Sequence, residues 1–386
     1  MNLQDSLLFD NAPAPFPAPP KTEGIKYTGS KLKIIPRILE IIGKTGATSV
    51  FDGFSGSTRV SQALAKQGFQ VHSNDIATWS PIFATAYLKN RKTPQEYCDL
   101  IQHLNSLKPV DGWFSENYGG DVGANPNGNA IQPDGSKKPW QRKNTRRLDA
   151  IREEIDRLEL DDADKSVALT SLILAMDKVE NTLGHFSSYL KEWSPRSFND
   201  MHLEVPMLWV NDKNNRVSCG DVFDVLPDVK CDLAYYDPPY GSNNEKMPPS
   251  RVRYAAYYHV WTTIIKNDRP DLFGKVGRRK DSCDTTASSV FEEFRKNGSG
   301  RFIVVDAIER LIKETPCEWI VLSYSSGGRA TATELNEVIK DNGKLIETSK
   351  IDYQRNVMSS MKWTNDWTRD SEEPNREFLF LIQKKR

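Results

Sequence analysis

Asp237-Pro-Pro-Tyr240 is the stretch of this chain with the plainest chemical use. It follows Asp232-Leu-Ala-Tyr-Tyr, an apolar run that reads as a strand and would set the tetrapeptide at the strand's carboxyl end, where ligands of parallel sheets sit. Two consecutive prolines deny the backbone a helical continuation, and they hold a carboxylate beside a carbonyl with no ladder role. A carboxylate and a carbonyl converging on one point can accept both hydrogens of an aromatic amino group, while the Tyr240 ring offers a flat face to the base that bears it. The lone pair of such an amine is delocalised into its ring. Hydrogen bonds from the amine to the Asp237 carboxylate and the Pro238 carbonyl would localise it and ready the nitrogen for attack on an electrophilic carbon. The bland alternative is a Pro238-Pro239 turn after a strand, although the tetrapeptide arises by chance in on the order of one chain of this size in several hundred.

A second candidate is the loop Phe51-Asp-Gly-Phe-Ser-Gly-Ser57. Gly53 and Gly56 would let a ligand approach the backbone, and Asp75 stands about 20 residues on, where an acid grips ribose hydroxyls. A nucleotide-like cofactor fits that much. The dinucleotide pattern GxGxxG is absent, which argues against NAD, and a glycine turn holding nothing is the alternative.

These residues need a frame to position them. From Thr48 to Ser73 the order is strand, glycine turn, helix with Val60, Ala63 and Leu64 at helical spacing, a stop at Gly68, and a second strand ending at Asn74-Asp75. This opens a βαβ unit. Further strands are expected near Arg216–Cys219, Asp232–Tyr236, Glu318–Tyr324, Lys344–Tyr353 and Glu377–Gln383, with a helix over Phe302–Thr315. The about 140 residues between Asp75 and Val217 far exceed the roughly 30 that a βαβ unit needs, so they hold an inserted lobe. Its residues 115–139 are rich in Gly, Asn and Pro and read as loop. Two helical patterns follow, one with Leu148, Ile151, Ile155 and Leu158, the other with Val167, Leu169, Leu172, Ile173, Met176 and Val179. The expected fold class is α/β, a Rossmann-like sheet with a mainly helical and loop insertion. Residues 1–20 are expected as a Pro-rich tail, 21–90 and 206–386 as the sheet domain, and 91–205 as the lobe.

Composition limits the function classes. Of 386 residues 27% are charged and 38% hydrophobic, and Lys plus Arg equals Asp plus Glu at 52 each, so the chain is not a strongly basic nucleic-acid binder on average. No apolar run approaches the about 18 residues of a membrane span, and no secretory signal pattern opens the chain, so no membrane partner and a cytoplasmic site are expected. Five cysteines (Cys98, Cys219, Cys231, Cys283, Cys317) form no CxxC pair, which leaves no suggestion of a metal site or a disulfide framework.

In their order, Lys26-Tyr-Thr-Gly-Ser-Lys31, the glycine loop, Asn74-Asp75, Gly220-Asp221 and Asp237-Pro-Pro-Tyr240, the motifs resemble those of the amino-methylating DNA methyltransferases, specifically the adenine-N6, Dam-like class (D12 type). The resemblance spans Lys26 to Tyr240 and resumes at Val321-Leu-Ser-Tyr324. It departs at Ser57, where the family commonly has a third glycine, and at Tyr27, where it often has Trp. It implies S-adenosyl-L-methionine (AdoMet) as cofactor on a methyltransferase sheet. Tyr27 and Lys31 would close over it, Asp52, Phe54 and Gly56 would face its methionine part, and Asp75 would hold the ribose. Asp221 would sit near its adenine edge or serve only as a helix N-cap. Asp237 would stand near both cofactor and target amine, and with Pro238, Pro239 and Tyr240 would form the catalytic motif. The target base would have to leave the duplex and stack on Tyr240.

The resemblance further implies double-stranded DNA as substrate, site-specific methylation and a restriction-modification setting, with a cognate restriction endonuclease acting separately. Lys137, Lys138, Arg142, Lys143, Arg146 and Arg147 form a basic run without an intervening acid, and with Arg278, Arg279 and Lys280 they suggest a phosphate track. The ordinary reading of such a run is a solvated face. Glu153, Glu154, Asp156 and Glu159, on the helix beyond it, are expected to face solvent, and His185 is expected to be structural. The rival functions keep the chemistry on another acceptor (cytosine N4, RNA adenine or a protein amide) or discard it, leaving a catalytically silent Rossmann-like nucleic-acid binder.

Overall fold

In the computed structural model, residues 18–124, 128–240, 254–283, 289–293, 295–352 and 376–385 are described. Most of the Pro-rich tail and Tyr353 lie outside them. The strands of the main sheet are β1 (Ser49–Asp52), β2 (Gln70–Asp75), β3 (Arg216–Cys219), β4 (Leu233–Tyr236), β5 (Trp319–Ser325), β6 (Gly343–Asp352) and β7 (Arg376–Lys384). They form one sheet in the order β6-β7-β5-β4-β1-β2-β3. β1 pairs in parallel with β2 and β4, β4 with β5, and β2 with β3, whereas β7 runs antiparallel between β5 and β6. The chain leaves β1 for β2 on one side and later returns to β4 on the other. The switch point therefore lies between β1 and β4, and the crevice at their carboxyl ends is where such a sheet receives ligands.

Both faces of the sheet are covered, which is why its central strands are continuously apolar rather than alternating with polar residues. Val50, Val71, Leu233, Tyr235, Val321, Leu379 and Leu381 point to one face, against Ile35, Ile38, Ile41 and Ile42 of α1 (Ile35–Gly43) and Ala63 and Leu64 of α2 (Arg59–Lys66). Their neighbours Phe51, Ala234, Tyr236, Ile320, Leu322, Phe380 and Ile382 point to the other, against Val304, Ile308 and Leu311 of α7 (Ile303–Glu314) and Leu335 and Ile339 of α8 (Ala332–Asn342). The period of two places successive side chains in different cores.

The lobe has its own core, seated on α3 (Ser80–Leu88). α4 (Arg142–Arg157) is amphipathic, with Leu148, Ile151 and Ile155 buried, while α5 (Asp162–Lys178) is buried on nearly every side and forms the centre of the lobe. Trp140 lies wholly inside and donates its indole N–H to the Met176 carbonyl. This core also takes in Tyr258, Val260, Trp261 and Ile264, at and within α6 (His259–Lys266), so the lobe draws on the chain after Tyr240 as well as on residues 91–205. His185 is stacked on Tyr257 at 4.6 Å and shares a hydrogen bond with Ser187, a packing role. All five cysteines are free thiols. Among the described residues, no helix is long and apolar enough to cross a membrane.

Candidate active site

The β1–α2 loop is held open by its glycines. A Cβ on Gly53 would lie 2.7 Å from the Tyr236 ring, and Gly56 has a φ of 48°, where a Cβ would also press on the Tyr27 ring at 3.1 Å. Asp75 ties this loop to the end of β2, because its Oδ2 accepts the Gly56 N–H at 2.8 Å and its Oδ1 accepts the Ala77 N–H at 2.8 Å. The Ser80 hydroxyl donates to the Gly56 carbonyl at 2.7 Å and ties the loop to α3. Burial pushes the Asp75 carboxyl above its ordinary range, against the pull of these backbone donors.

The loop borders a cavity of about 350 Å³, within the size range of small-molecule sites. Its wall runs from Tyr27, Lys31 and Phe54 past Asp75 and Asp221 to Asp237, Pro238, Pro239 and Tyr240. Tyr254, His259 and Glu292, which follow Tyr240 in the chain, close another side. Asp221 does two things: its side chain caps the helical turn Val222–Val225 by accepting the Phe223 N–H at 2.9 Å, and it borders the cavity. Tyr27 stacks on Tyr258 at 4.8 Å and meets Trp79 edge-on, so aromatic rings fix the N-terminal segment over the loop.

Asp52 faces a smaller adjoining hollow with Lys31, Gly56 and Asp237. Its side chain is buried, Oδ2 accepts the Ser61 hydroxyl at 2.6 Å, and Oδ1 has no hydrogen-bond partner among the described residues. Burial pushes its carboxyl up to about 7. An orphaned buried carboxylate oxygen beside a glycine loop calls for a cationic donor. The ammonium of an amino-acid ligand is such a donor, and Asp75 and Asp221 further along the wall can accept hydroxyl and amine hydrogens. The residues present therefore fit AdoMet.

Asp237 is not a lone carboxylate. Its Oδ1 lies 2.9 Å from the Lys31 ammonium and accepts the Tyr240 hydroxyl. Glu377 at the start of β7 brings Oε1 to 3.3 Å from Lys31 and 2.6 Å from the Tyr240 oxygen, and it accepts the Ser323 hydroxyl of β5 at 2.6 Å. Burial pushes the Asp237 carboxyl above its ordinary range; Lys31 pulls against this and Glu377 adds to it. The Tyr240 ring is 4.9 Å from that of Tyr324, with the Lys31 ammonium 4.8 Å from its centroid. The sequence reading assigned Tyr240 a stacking ring; the structure gives its hydroxyl a place in the carboxylate network. That reading also missed Glu377. No motif marks an acid on a C-terminal strand, and only the antiparallel pairing Glu377↔Ser325 carries it to the site.

The basic residues behave unequally. Arg142 and Arg146 share Asp111 at 2.9 and 3.4 Å, Lys143 pairs with Asp200 at 2.6 Å, and Arg147 donates to the Asn105 carbonyl at 3.2 Å. Lys138 reaches the Asn117 carbonyl at 2.9 Å, and burial lowers its pKa. Lys137 is half-buried, and Arg278 lies over the Phe273 ring at 5.1 Å. Arg279 departs from the expectation of a phosphate contact. It is 2% exposed and spends its guanidinium on Asp268 and Asp281, at 2.6 and 2.7 Å, because a buried charge needs partners. Of the acids expected at the surface, Glu153 is exposed, whereas the Glu154 side chain is largely covered.

The profile of a family described as D12 class N6 adenine-specific DNA methyltransferase matches residues 27–292. The chain is similar to Modification methylase StsI of Streptococcus sanguinis, 25% identical over 380 residues, covering 94% of this chain and 52% of that protein. Type II methyltransferase M.NlaIII of Neisseria lactamica is 24% identical over 335 residues, 84% of this chain and 91% of its own. Type II methyltransferase M.FokI of Planomicrobium okeanokoites is 25% identical over 377 residues, 93% of this chain and 53% of its own. The chain thus spans about half the length of two of these relatives and most of the third.

Proposed function

The chain belongs to the D12 class of N6 adenine-specific DNA methyltransferases, and from that premise we propose that it methylates adenine N6 at a specific site in duplex DNA, with AdoMet as methyl donor. The observation that carries this reading is one cavity bordered both by Asp237-Pro-Pro-Tyr240 and by the glycine loop with Asp75, at the switch point of the sheet. When bound, AdoMet supplies an electrophilic sulfonium methyl group. Asp52 would hold its ammonium, Asp75 its ribose and Asp221 its adenine edge, with Tyr27, Lys31, Phe54 and Gly56 enclosing the methionine part.

The residues of this chain do the rest. A target adenine flipped from the duplex would present its amino group to the Asp237 carboxylate and the Pro238 carbonyl, which localise the N6 lone pair. Asp237 then stands where the proton leaving N6 must go, and its raised pKa makes it a better acceptor than an ordinary carboxylate. Arg142, Lys143, Arg146 and Arg147, with Lys137, Lys138 and Arg278, would meet DNA phosphates. The names of the relatives support a role as the modification half of a restriction-modification system; a separately acting endonuclease as partner and the cytoplasm as its place are part of the same proposal.

The decisive experiment is single-turnover transfer from labelled AdoMet to a randomised duplex, with the product base identified by hydrolysis. Label in N6-methyladenine, lost in Asp237→Ala, is the expected result. Activity of that variant within about tenfold of wild type, a difference of about 1.4 kcal/mol, would sink the assigned role of Asp237. Label in N4-methylcytosine or in RNA would change the acceptor.

A further inference from the structure

At the Asp-Pro-Pro-Tyr motif, Asp237 and Tyr240 meet two polar groups from distant parts of the chain, Lys31 and Glu377. The oxygens Asp237 Oδ1 and Glu377 Oε1 both meet the same two donors, the Lys31 ammonium and the Tyr240 hydroxyl. One ammonium and one hydroxyl proton are thus divided between two carboxylates. Glu377 has a further donor in Ser323, is 5% exposed and lines neither the cavity nor the adjoining hollow, so it has no direct access to a ligand there. A buried acid beside another acid is costly, and its presence in a site calls for a purpose.

We propose that Glu377 is a positioning residue for Asp237: by holding Lys31 and Tyr240 on the far side of the motif it fixes Asp237 Oδ1, so that Oδ2 is the oxygen offered to the target amine. This rests on the reading of the site as an amino-methylating one. Glu377 also divides the charge of Lys31. Without the negative charge of Glu377, which raises the Asp237 pKa, Asp237 would ionise at lower pH and take up the N6 proton less readily, while Lys31 keeps its bond to the Gly29 carbonyl. Among the described residues, the other titratable groups facing the pair are Asp52 from β1, Tyr235 from β4, Tyr27 from the N-terminal segment and Tyr254 from beyond the motif. The tyrosines are held above their ordinary range and stay neutral. The shift of Asp52 has burial, Asp237 and Asp75 behind it rather than Glu377, so a displaced acid limb in a Glu377 variant reports on Asp237.

The test compares the full-length wild type with Glu377→Gln, which keeps an acceptor for Ser323 and Tyr240 and removes the charge. Single-turnover rates at saturating AdoMet and DNA are followed against pH, alongside AdoMet affinity by calorimetry and thermal melting. The expected result is a rate lowered about tenfold, an acid limb moved down by about one pH unit, and AdoMet affinity within about twofold of wild type. A purely structural Glu377 would change melting and leave the limb in place, which overturns the proposal. So does a weakened AdoMet affinity with a wild-type rate at saturation. Should Glu377→Gln fail to melt cooperatively, Glu377→Asp keeps the charge and withdraws the carboxylate by one methylene; a wild-type rate in that variant overturns the proposal as well. A wild type that transfers no methyl to any duplex overturns the functional reading and this inference together, whereas an active wild type with an unchanged variant overturns this inference alone.

Discussion

Single side chains at this site carry two duties, and their variants should show both. The Tyr240 hydroxyl touches Asp237 and Glu377 while its ring packs on Tyr324. Tyr240→Phe keeps the packing and removes a hydrogen bond to charged groups, which costs about 1.5 to 3 kcal/mol. Single-turnover transfer should fall by about ten- to a hundredfold, and Tyr240→Ala should fall further; a wild-type rate in the Phe variant would leave the hydroxyl without a role. Asp52 offers a test that needs no cofactor. Its carboxyl is pushed up to about 7 by burial, so the folded chain keeps a proton that the unfolded chain releases above about pH 4. Folding stability from this group therefore declines as pH rises from about 4 to about 7 and stays low above that. Asp52→Asn removes the dependence. It should melt above the wild type at pH 8, by at most about 4 kcal/mol in stability, with the gap closing toward pH 4. A gap that does not widen with pH contradicts this, and the same variant should bind AdoMet more weakly.

At the scale of elements, the β1–α2 loop depends on a residue from the end of the next strand. Asp75 satisfies the N–H groups of Gly56 and Ala77, one in the loop and one leading to α3. Removing its carboxylate takes away a cofactor acceptor and also leaves loop donors unpaired. Asp75→Ala should weaken AdoMet binding by about 1 to 3 kcal/mol and lower the melting temperature of the cofactor-free protein. Calorimetry and melting check the two halves separately: lost affinity with unchanged melting would mean that the loop holds its shape without Asp75.

For the whole molecule, charge is a matter of distribution. The chain is neutral overall, and of four neighbouring cations Arg142 and Arg146 pair with Asp111, Lys143 pairs with Asp200 and Arg147 donates to the Asn105 carbonyl, so the face keeps a positive excess while its side chains are already oriented. Replacing Lys143, Arg146 and Arg147 together by Gln should weaken binding to all duplexes and flatten the slope of log affinity against log salt by at most about 3 units. Sequence preference and the transfer rate at saturating DNA should persist, because the reacting groups lie at the strand ends of the sheet. An unchanged slope in a filter-binding titration would make this an ordinary solvated face; a lost preference at constant slope would make these residues readers of bases.

Local rules made much of this protein legible. The βαβ opening, the strands carrying Arg216–Cys219 and Leu233–Tyr236, the amphipathic α4 and the Rossmann-like class all follow from apolar periodicity and from glycine and proline placement, which act over a few residues. The motifs Phe51–Ser57 and Asp237–Tyr240 were visible for the same reason: each needs only its own backbone and a strand before it. What lay beyond the sequence depends on contacts between residues far apart in the chain. That Arg279 is buried between Asp268 and Asp281 depends on how α6 and the segment around Arg278 fold against each other, and a run of cations looks the same in sequence whether paired or free. The pairing of Arg142 with Asp111 and of Lys143 with Asp200 likewise joins separate segments. Glu377 is the clearest case. It stands 140 positions beyond Asp237, and only the insertion of β7 antiparallel between β5 and β6 turns its carboxylate toward Lys31 and Tyr240, because strand register, which no local pattern records, decides which face a side chain takes.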